Sequence, residues 1–494
     1  MMHGAFPILS CEEARAFEAE YFAGDETREW AAMRAAAKGV AEGVRADFAE
    51  IGALPDDARV LVLAGKGHNA GDALLAAREL LSARPAIRID VVFAFGERPL
   101  RPLAMRAWLE LAPQARVVSP AGDDWAAGYD LCIDGVFGFQ FRPPLDEPTA
   151  ALLRRANVHP TRLRAAVDLP SGLDAPDAFR ADFTYATGIA KSPLLTLPNA
   201  GRLRFVELGF PGLRHPCGDA VLGLGVLEDL RGLRAPHLDK RHFGHALIVA
   251  GSRRYPGAAL MATLAALRGG SGLVTAAVPE SLVPAFAAQA PEAIWLGLPE
   301  TPEGGLALEG LHLVREAFSR ATALVVGPGL GRERETLTFA QEIVRESPRP
   351  LVIDADALQP EIVAAGDAPR ILTPHAGEYA RIAAAVPAGA VLVRKGPITR
   401  VERVAPDSGE PSSPRYHSFF GGPALARGGS GDLLAGLAGA LLARAPADPL
   451  GAALRGVVWH GRAADLLARA HGPTALRITQ VLDFLSPALR ASDA

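Results

Sequence analysis

Residues 59–81 read RVLVLAGKGHNAGDALLAARELL. A short run of valine and leucine ends in a turn holding Gly65, Gly67 and Gly71, and an amphipathic stretch follows at once. A brief apolar run closed by glycines reads as a strand, and helical spacing straight after it reads as the crossover of a parallel sheet. The alternation continues outward through RIDVVFAF (88–95), MRAWLELA (105–112), ARVVS (115–119) and YDLCIDGVFG (129–138). Upstream, Glu12 to Glu50 reads as helices, with MRAAAKGVAEGVRADFA (33–49) the clearest amphipathic piece. Downstream come three more strand candidates, AAVDLPSGLD (165–174), FTYATG (183–188) and RLRFVELG (202–209). Between Gly209 and Phe243 glycine and proline interrupt every pattern that begins, so the domain boundary belongs there. A second alternating series then runs through HALIVAG (245–251), GAALMATLAALRGG (257–270), GLVTAAVP (272–279), ATALVVGPGLG (321–331), PLVIDADAL (350–358), RILTPHAGE (370–378) and AVLVRKGP (390–397), and three helix candidates follow Gly429. Its order differs from the first, which makes two α/β domains, 1–222 and 223–494, and no internal repeat. DSGEPSSP (407–414) reads as an exposed hairpin tip.

Composition agrees. The 494 residues are 49% hydrophobic and 21% charged, which excludes a disordered chain and exceeds one ordinary core. Net charge is -4, without the basic excess that nucleic acid attracts, although a local cluster of donors can still hold a small anion. Arginine supplies nearly all cations; Lys38, Lys66, Lys191, Lys240 and Lys395 are the lysines, and a retained lysine tends to hold a specific place. Cys11, Cys132 and Cys217 lack the spacing of a disulfide framework or zinc site, which fits a reducing cytoplasm. No signal peptide is evident, and the longest apolar runs, Gly257–Leu267 and Leu433–Ala443, read as buried helices too short to span a membrane.

The glycine turn after 59–64 would offer backbone N–H groups and a helix N-terminus to an anion, or serve only as a tight connection. His68, Asn69 and Asp72 add polar side chains that a structural turn does not need. Asp134 and Asp168 each close a strand, either as separate caps or as convergent groups, because the carboxyl ends of parallel strands share one edge. With Asn69 and Ser171 they would form an oxygen-rich pocket suited to an alkali or alkaline-earth cation.

AGKGHNAGDALLAARELL, DGVFGFQFRPPL, AVDLPSGLDA and ATGIAKSPLLT occur in the order seen in the epimerase half of NAD(P)H-hydrate repair enzymes, and the chain resembles that half over about residues 10–215. The resemblance implies a Rossmann-like doubly wound domain. It implies potassium at Asn69, Asp134 and Ser171, and a nicotinamide hydrate held by His68, Asn69, Ala70, Gly71 and Asp72, by Gly138, Phe139, Gln140, Phe141, Arg142, Pro143 and Pro144, and by Asp168. The family turn reads close to GNGNNGGDG, so Asn69 and Asp72 match whereas Lys66, His68, Ala70 and Ala73 depart from it. Asp168 is the candidate proton-transfer group, since inverting a hydroxyl-bearing carbon beside an enamine needs acid/base assistance.

In the second half GPGLG (327–331), DADAL (354–358), TPHAGE (373–378) and GGPALARGGSGDLLAG (421–436) stand out together. Gly428 to Gly431 open a helix and make an anion hole, with Asp432 in its first turn as a helix-dipole partner or, beside phosphate, a base for a hydroxyl proton. Lys395 and Gly396 end a strand, facing solvent or a nucleotide; His375 is a cap, a core residue or a substrate contact; Asp354 and Asp356 cap a turn or help a cation. This half resembles the ribokinase-like dehydratase domain of the same enzymes over about residues 236–490, with DKRHFG standing where the family has HKG. The resemblance implies phosphorylation of the C6 hydroxyl of the S hydrate by ADP with Mg2+, loss of phosphate and recovery of NADH or NADPH. Ala258, Gly329, His375 and Asp432 would then contact the hydrate, and Lys395, Gly396, Pro397, Ile398, Thr399 and Gly431 the nucleotide.

The expected partners are therefore the hydrates and ADP, with no nucleic acid and no membrane, in a cytoplasmic homo-oligomer. A ribokinase-type kinase acting on a vitamin precursor, with a noncatalytic N-terminal interaction domain, is the rival reading.

Overall fold

The structure, a computed structural model, describes residues 3–213, 218–405 and 414–490, and all elements below lie within them. Most of the hairpin-tip stretch 407–414 and Cys217 fall outside the described residues. Two compact units are present, one formed mainly by Phe6–His215 and one mainly by Pro216–Ala468 and Pro473–Asp493.

The first unit contains β1 (Ala5–Leu9), β2 (Arg59–Ala64), β3 (Arg88–Phe93), β4 (Ala115–Val117), β5 (Tyr129–Gly135), β6 (Thr161–Val167), β7 (Phe183–Thr187), β8 (Ala190–Lys191) and β9 (Arg202–Val206). Seven of them pair in the order β4-β3-β2-β5-β6-β7-β9, all parallel. Val60 to Ala64 are completely buried, as expected of a strand whose two faces are both covered by helices. The helices Glu26–Phe48, His68–Ala83 and Pro102–Leu111 supply apolar stripes on one side, through Val40, Val44, Leu74, Ala77 and Trp108. The strand order reverses between β2 and β5, and the crevice beyond their carboxyl ends is where such a sheet admits a ligand.

The second unit adds β10 (Asp219–Leu222), β11 (His245–Val249), β12 (Leu273–Pro279), β13 (Ile294–Leu298), β14 (Ala323–Val326), β15 (Leu351–Ile353), β16 (Arg370–Leu372), β17 (Val391–Arg394), β18 (Thr399–Arg403) and β19 (Arg415–Ser418). They pair as β13-β12-β11-β14-β15-β16-β17-β18-β19-β10, with β18 antiparallel to both neighbours. Here the order reverses between β11 and β14. The units divide within the 209–243 stretch, and Asp219–Leu222 pairs in register with β19. The two apolar runs are helices, Pro256–Arg268 and Ser430–Arg444, packed on one another. Gly436 permits that approach, since a Cβ there would lie 2.1 Å from the Ala262 carbonyl oxygen. Among the described residues no helix is long and apolar enough to cross a membrane.

Candidate functional site

A cavity of 420 Å³ opens in the first unit at the β2/β5 crevice. The helix His68–Ala83 brings His68, Asn69 and Asp72 to it, and the loop after β5 brings Gly138, Phe139, Gln140, Phe141, Arg142 and Pro144. Asp168 reaches it from the end of β6. Ala70, Gly71 and Pro143 do not line it. Helical periodicity turns Ala70 and Gly71 inward, where a Cβ on Gly71 would meet the Met33 sulfur at 2.6 Å, and both their N–H groups already donate to the Gly67 carbonyl. The N–H groups of this turn are therefore partly spent within the turn, which narrows the anion cradle expected there.

Asp168 has φ 65°, a left-handed backbone that an aspartate tolerates better than most residues. Its carboxylate accepts a 2.5 Å hydrogen bond from Lys191 Nζ. The two side chains are only 5% and 1% exposed, so this is a buried ion pair, and the ammonium also stands 4.9 Å from the centre of the Phe139 ring. Lys191 drew notice in the sequence as one of few lysines and within ATGIAKSPLLT, but nothing local connects it to Asp168. Glu18, Phe95, Arg101 and Thr187 also line the cavity and were not anticipated.

Beneath the cavity Asp134 is fully buried. Its oxygens accept from the Ser171 N–H (2.8 Å), the Ser171 hydroxyl (2.7 Å) and the Val136 N–H (3.2 Å). The Phe137 N–H donates to Ser171 Oγ (2.8 Å) and the Asn69 amide donates to the Phe137 carbonyl (2.8 Å), so Asn69, Asp134 and Ser171 form one cluster. Burial pushes the Asp134 carboxyl up to about 6, against the lowering effect of these donors. No ion pair involves it among the described residues. A buried carboxylate with oxygen neighbours and no cationic side chain is a donor set that fits a hard monovalent cation.

In the second unit the loops after β11 and β14 meet, with Gly251 N–H bonded to the Pro328 carbonyl (2.8 Å) and the Ser252 hydroxyl to the Gly329 carbonyl (2.8 Å). Gly329 and Ala258 touch: a Cβ on Gly329 would lie 2.7 Å from that of Ala258. Asp356 caps the turn from below, accepting from the Gly331 N–H at 2.9 Å. Asp354, 1% exposed, accepts from the Thr373 hydroxyl (2.7 Å) and from Lys395 Nζ (3.0 Å). The solvent-facing alternative for Lys395 is thereby excluded; burial lowers its pKa, but Asp354, Glu378 and Asp432 together outweigh it and leave the ammonium raised.

The helix Ser430–Arg444 starts after Gly429 (φ 93°), and Gly431 lets Lys395 come close, since a Cβ there would sit 3.1 Å from Nζ. Asp432 follows. Burial and the charges of Asp354 and Asp356 push its carboxyl up to about 6, with Lys395 opposing. His375 is the cap of the helix Ala376–Ile382: Nδ1 accepts from Gly377 N–H (3.0 Å) and Glu378 N–H (3.3 Å), while the ring is largely exposed. It also lies beside Lys395, whose N–H bonds the Pro374 carbonyl (2.9 Å). Gly396, Pro397 and Ile398 form the turn into β18, which Thr399 begins. His460, which the sequence did not single out, is buried near Lys395, and burial pushes its imidazole down to about 4.

The family model described as YjeF-related protein N-terminus matches residues 30–192, and that described as NAD(P)H-hydrate dehydratase matches residues 246–486. The bifunctional NAD(P)H-hydrate repair enzyme Nnr of Gloeobacter violaceus is 37% identical, with 94% of each chain covered. The chain belongs to the bifunctional NAD(P)H-hydrate repair enzyme family. The enzyme of the same description from Thermofilum pendens is 31% identical over 87% of each chain. Among solved structures, an ADP/ATP-dependent NAD(P)H-hydrate dehydratase from Bacillus subtilis, co-crystallised with ATP and Mg2+, is 28% identical over 53% of this chain and 95% of its own, with a TM-score of 0.44. The chain is accordingly a bifunctional enzyme, an epimerase (isomerase) joined to a dehydratase (lyase).

Proposed function

We propose that residues 1–222 interconvert the R and S hydrates of NADH and NADPH, and that residues 223–494 dehydrate the S form at the expense of ADP. The observation that carries the second half is the juxtaposition of Asp432, Gly431 and Lys395 at the start of a buried helix. Asp432 takes the proton of the C6 hydroxyl as its oxygen attacks the terminal phosphorus of ADP and AMP departs. The N–H groups at Gly431 and the Lys395 ammonium stabilise the charge gathering on the phosphoryl oxygens. The C6–O bond then breaks with its electron pair leaving on phosphate, and loss of the C5 proton restores the ring double bond. Ala258, Gly329 and His375 frame the hydrate; Lys395 to Thr399 hold the nucleotide.

Among the described residues no group of three or more His, Cys, Asp or Glu side chains forms a metal cage. Mg2+ would come bound to the nucleotide phosphates and would offset their charge. In the first unit Asn69, Asp134 and Ser171 would hold potassium, which offsets the buried charge of Asp134 and stiffens the Phe137 turn. His68, Asn69, Asp72, the 138–144 loop and Asp168 bind the hydrate, with Asp168 moving the proton. The enzyme works in the cytoplasm as a homo-oligomer.

Two measurements test this reading. Product analysis should find AMP and phosphate each formed in equal amount to the NADH recovered; a phosphorylated compound that persists without NADH would overturn it in favour of a small-molecule kinase. Because the base form of Asp432 is lost as pH falls through about 6, dehydration should be level near neutrality and fall about tenfold per unit below that point. A profile flat to pH 4 would remove Asp432 from the proton-transfer role.

A further inference from the structure

The cavity of the first unit holds a carboxyl group, Glu18, to which the reading above gives no part. Glu18, on the helix Cys11–Phe22, and Asp72, on the first turns of the helix His68–Ala83, line it together with Asp168 and Lys191. Asp168 is already hydrogen-bonded to the Lys191 ammonium. Glu18 and Asp72 have no hydrogen bond or ion pair among the described residues. A carboxyl group held at a cavity wall with no protein partner is one that a substrate can engage.

Inverting C6 of the hydrate needs both a proton donor and a proton acceptor. The donor protonates the C6 hydroxyl; the C6–O bond breaks, its electron pair leaving as water, while the N1 lone pair closes an N1=C6 bond. Water then adds to the other face of C6 and gives up a proton to a carboxylate, which balances the substrate; passage of that proton back to the donor restores the enzyme. Asp168 already accepts from the Lys191 ammonium, which leaves the donor's part to a second carboxyl group. We propose that Glu18 is the catalytic proton donor of the epimerisation, working against Asp168 as acceptor, and that the proton Asp168 takes from the added water returns to Glu18 through solvent, restoring both carboxyl groups. This rests on the reading of the cavity as the epimerisation site.

Titration behaviour supports Glu18 over Asp72. Burial pushes Glu18 up to about 7, helped by the negative charges of Asp168 and Glu29 and opposed by Lys191. It can therefore both give and regain a proton at neutral pH. Burial together with Asp168 and Glu18 pushes Asp72 well above its ordinary value, with Lys191 opposing, so it gives up a proton less readily than an ordinary carboxyl. The ionisable groups acting on Glu18 are thus Glu29, Asp72, Asp168 and Lys191. Glu18 also precedes the matched stretch 30–192 and sits in no glycine-rich motif.

The test uses the full chain and separated R and S hydrates. Glu18→Gln should lower kcat for epimerisation by about 10²–10⁴-fold with KM changed by no more than about twofold, and should abolish the ionisation near 7 in the kcat profile. Glu18→Asp, which keeps the carboxyl, should recover part of the rate with that ionisation displaced. Dehydration of the S hydrate by the same preparations reports that the chain is folded. Wild-type epimerisation in Glu18→Gln, or an unchanged profile, overturns the proposal. If Asp168→Asn is silent while Glu18→Gln is active, only the role of Glu18 fails; if Asp168→Asn and Glu18→Gln are both as active as wild type, the reading of the cavity fails with it.

Discussion

Asp432→Asn is expected to lower nucleotide-driven dehydration by about 10²–10⁴-fold in kcat while leaving KM for the nucleotide nearly unchanged, the loss typical of removing a positioned general base. Asparagine preserves the size and the hydrogen-bonding oxygen of the side chain but has no affinity for the hydroxyl proton. The carboxyl stands in the first turn of a helix, where a helix-dipole partner would be worth about 0.3–1 kcal/mol of stability and nothing specific in rate. The two roles therefore separate cleanly. A kinetic collapse with an unchanged melting temperature is the outcome for a base, whereas a small fall in stability with normal turnover is the outcome for a dipole partner. The raised pKa of about 6 favours the base, since a carboxylate made more basic by burial and by Asp354 accepts a proton more readily than an exposed one.

The second large effect concerns the buried pair Asp168–Lys191. Lys191→Met or Asp168→Asn alone leaves an uncompensated buried charge and should destabilise the first unit by about 3–5 kcal/mol. The double variant removes both charges, and should regain most of that stability, because replacing a buried ion pair by neutral groups of similar volume is often close to neutral. Epimerisation should be absent in all three. Asparagine is the right replacement at 168, where φ is 65° and alanine would add backbone strain to the lost charge. Denaturant unfolding combined with chromatographic separation of the epimers measures both quantities. A double variant as unstable as the singles would show that the pair is not coupled, and a double variant that epimerises would free the reaction from both groups.

Much of this was legible in the sequence because strand-ending acids and glycine turns declare themselves locally. Asp134, Asp168 and Ser171 follow directly on short apolar runs, and a parallel sheet brings such ends to one edge whatever lies between them. Asp432 was legible for the same reason, from the glycines that open its helix. Glu18 and His460 were not, since no motif contains them, and the partners of Lys191 and Thr373, which do lie in quoted stretches, were not, since they are far away in the chain. Asp168 and Lys191 are 23 residues apart, and a sequence read by periodicity cannot tell an ion pair from a surface lysine. Ala70 and Gly71 illustrate the opposite limit: a motif carries its whole run of residues forward, but a helix of 3.6 residues per turn can show only some of them to a ligand. Of the alternatives its position left open, the structure shows His375 as a cap, with its Nδ1 capping a helix and its ring exposed, not in the core.

The most direct test of the two-site account supplies the R hydrate alone, with ADP, Mg2+ and potassium, to three full-length proteins and follows the appearance of NADH. The wild-type chain should convert all of it, Asp168→Asn should proceed no faster than spontaneous epimerisation allows yet remain fully active on S, and Asp432→Asn should recover NADH from neither form. Conversion of R by Asp168→Asn at the wild-type rate, or of S by Asp432→Asn, would contradict the account.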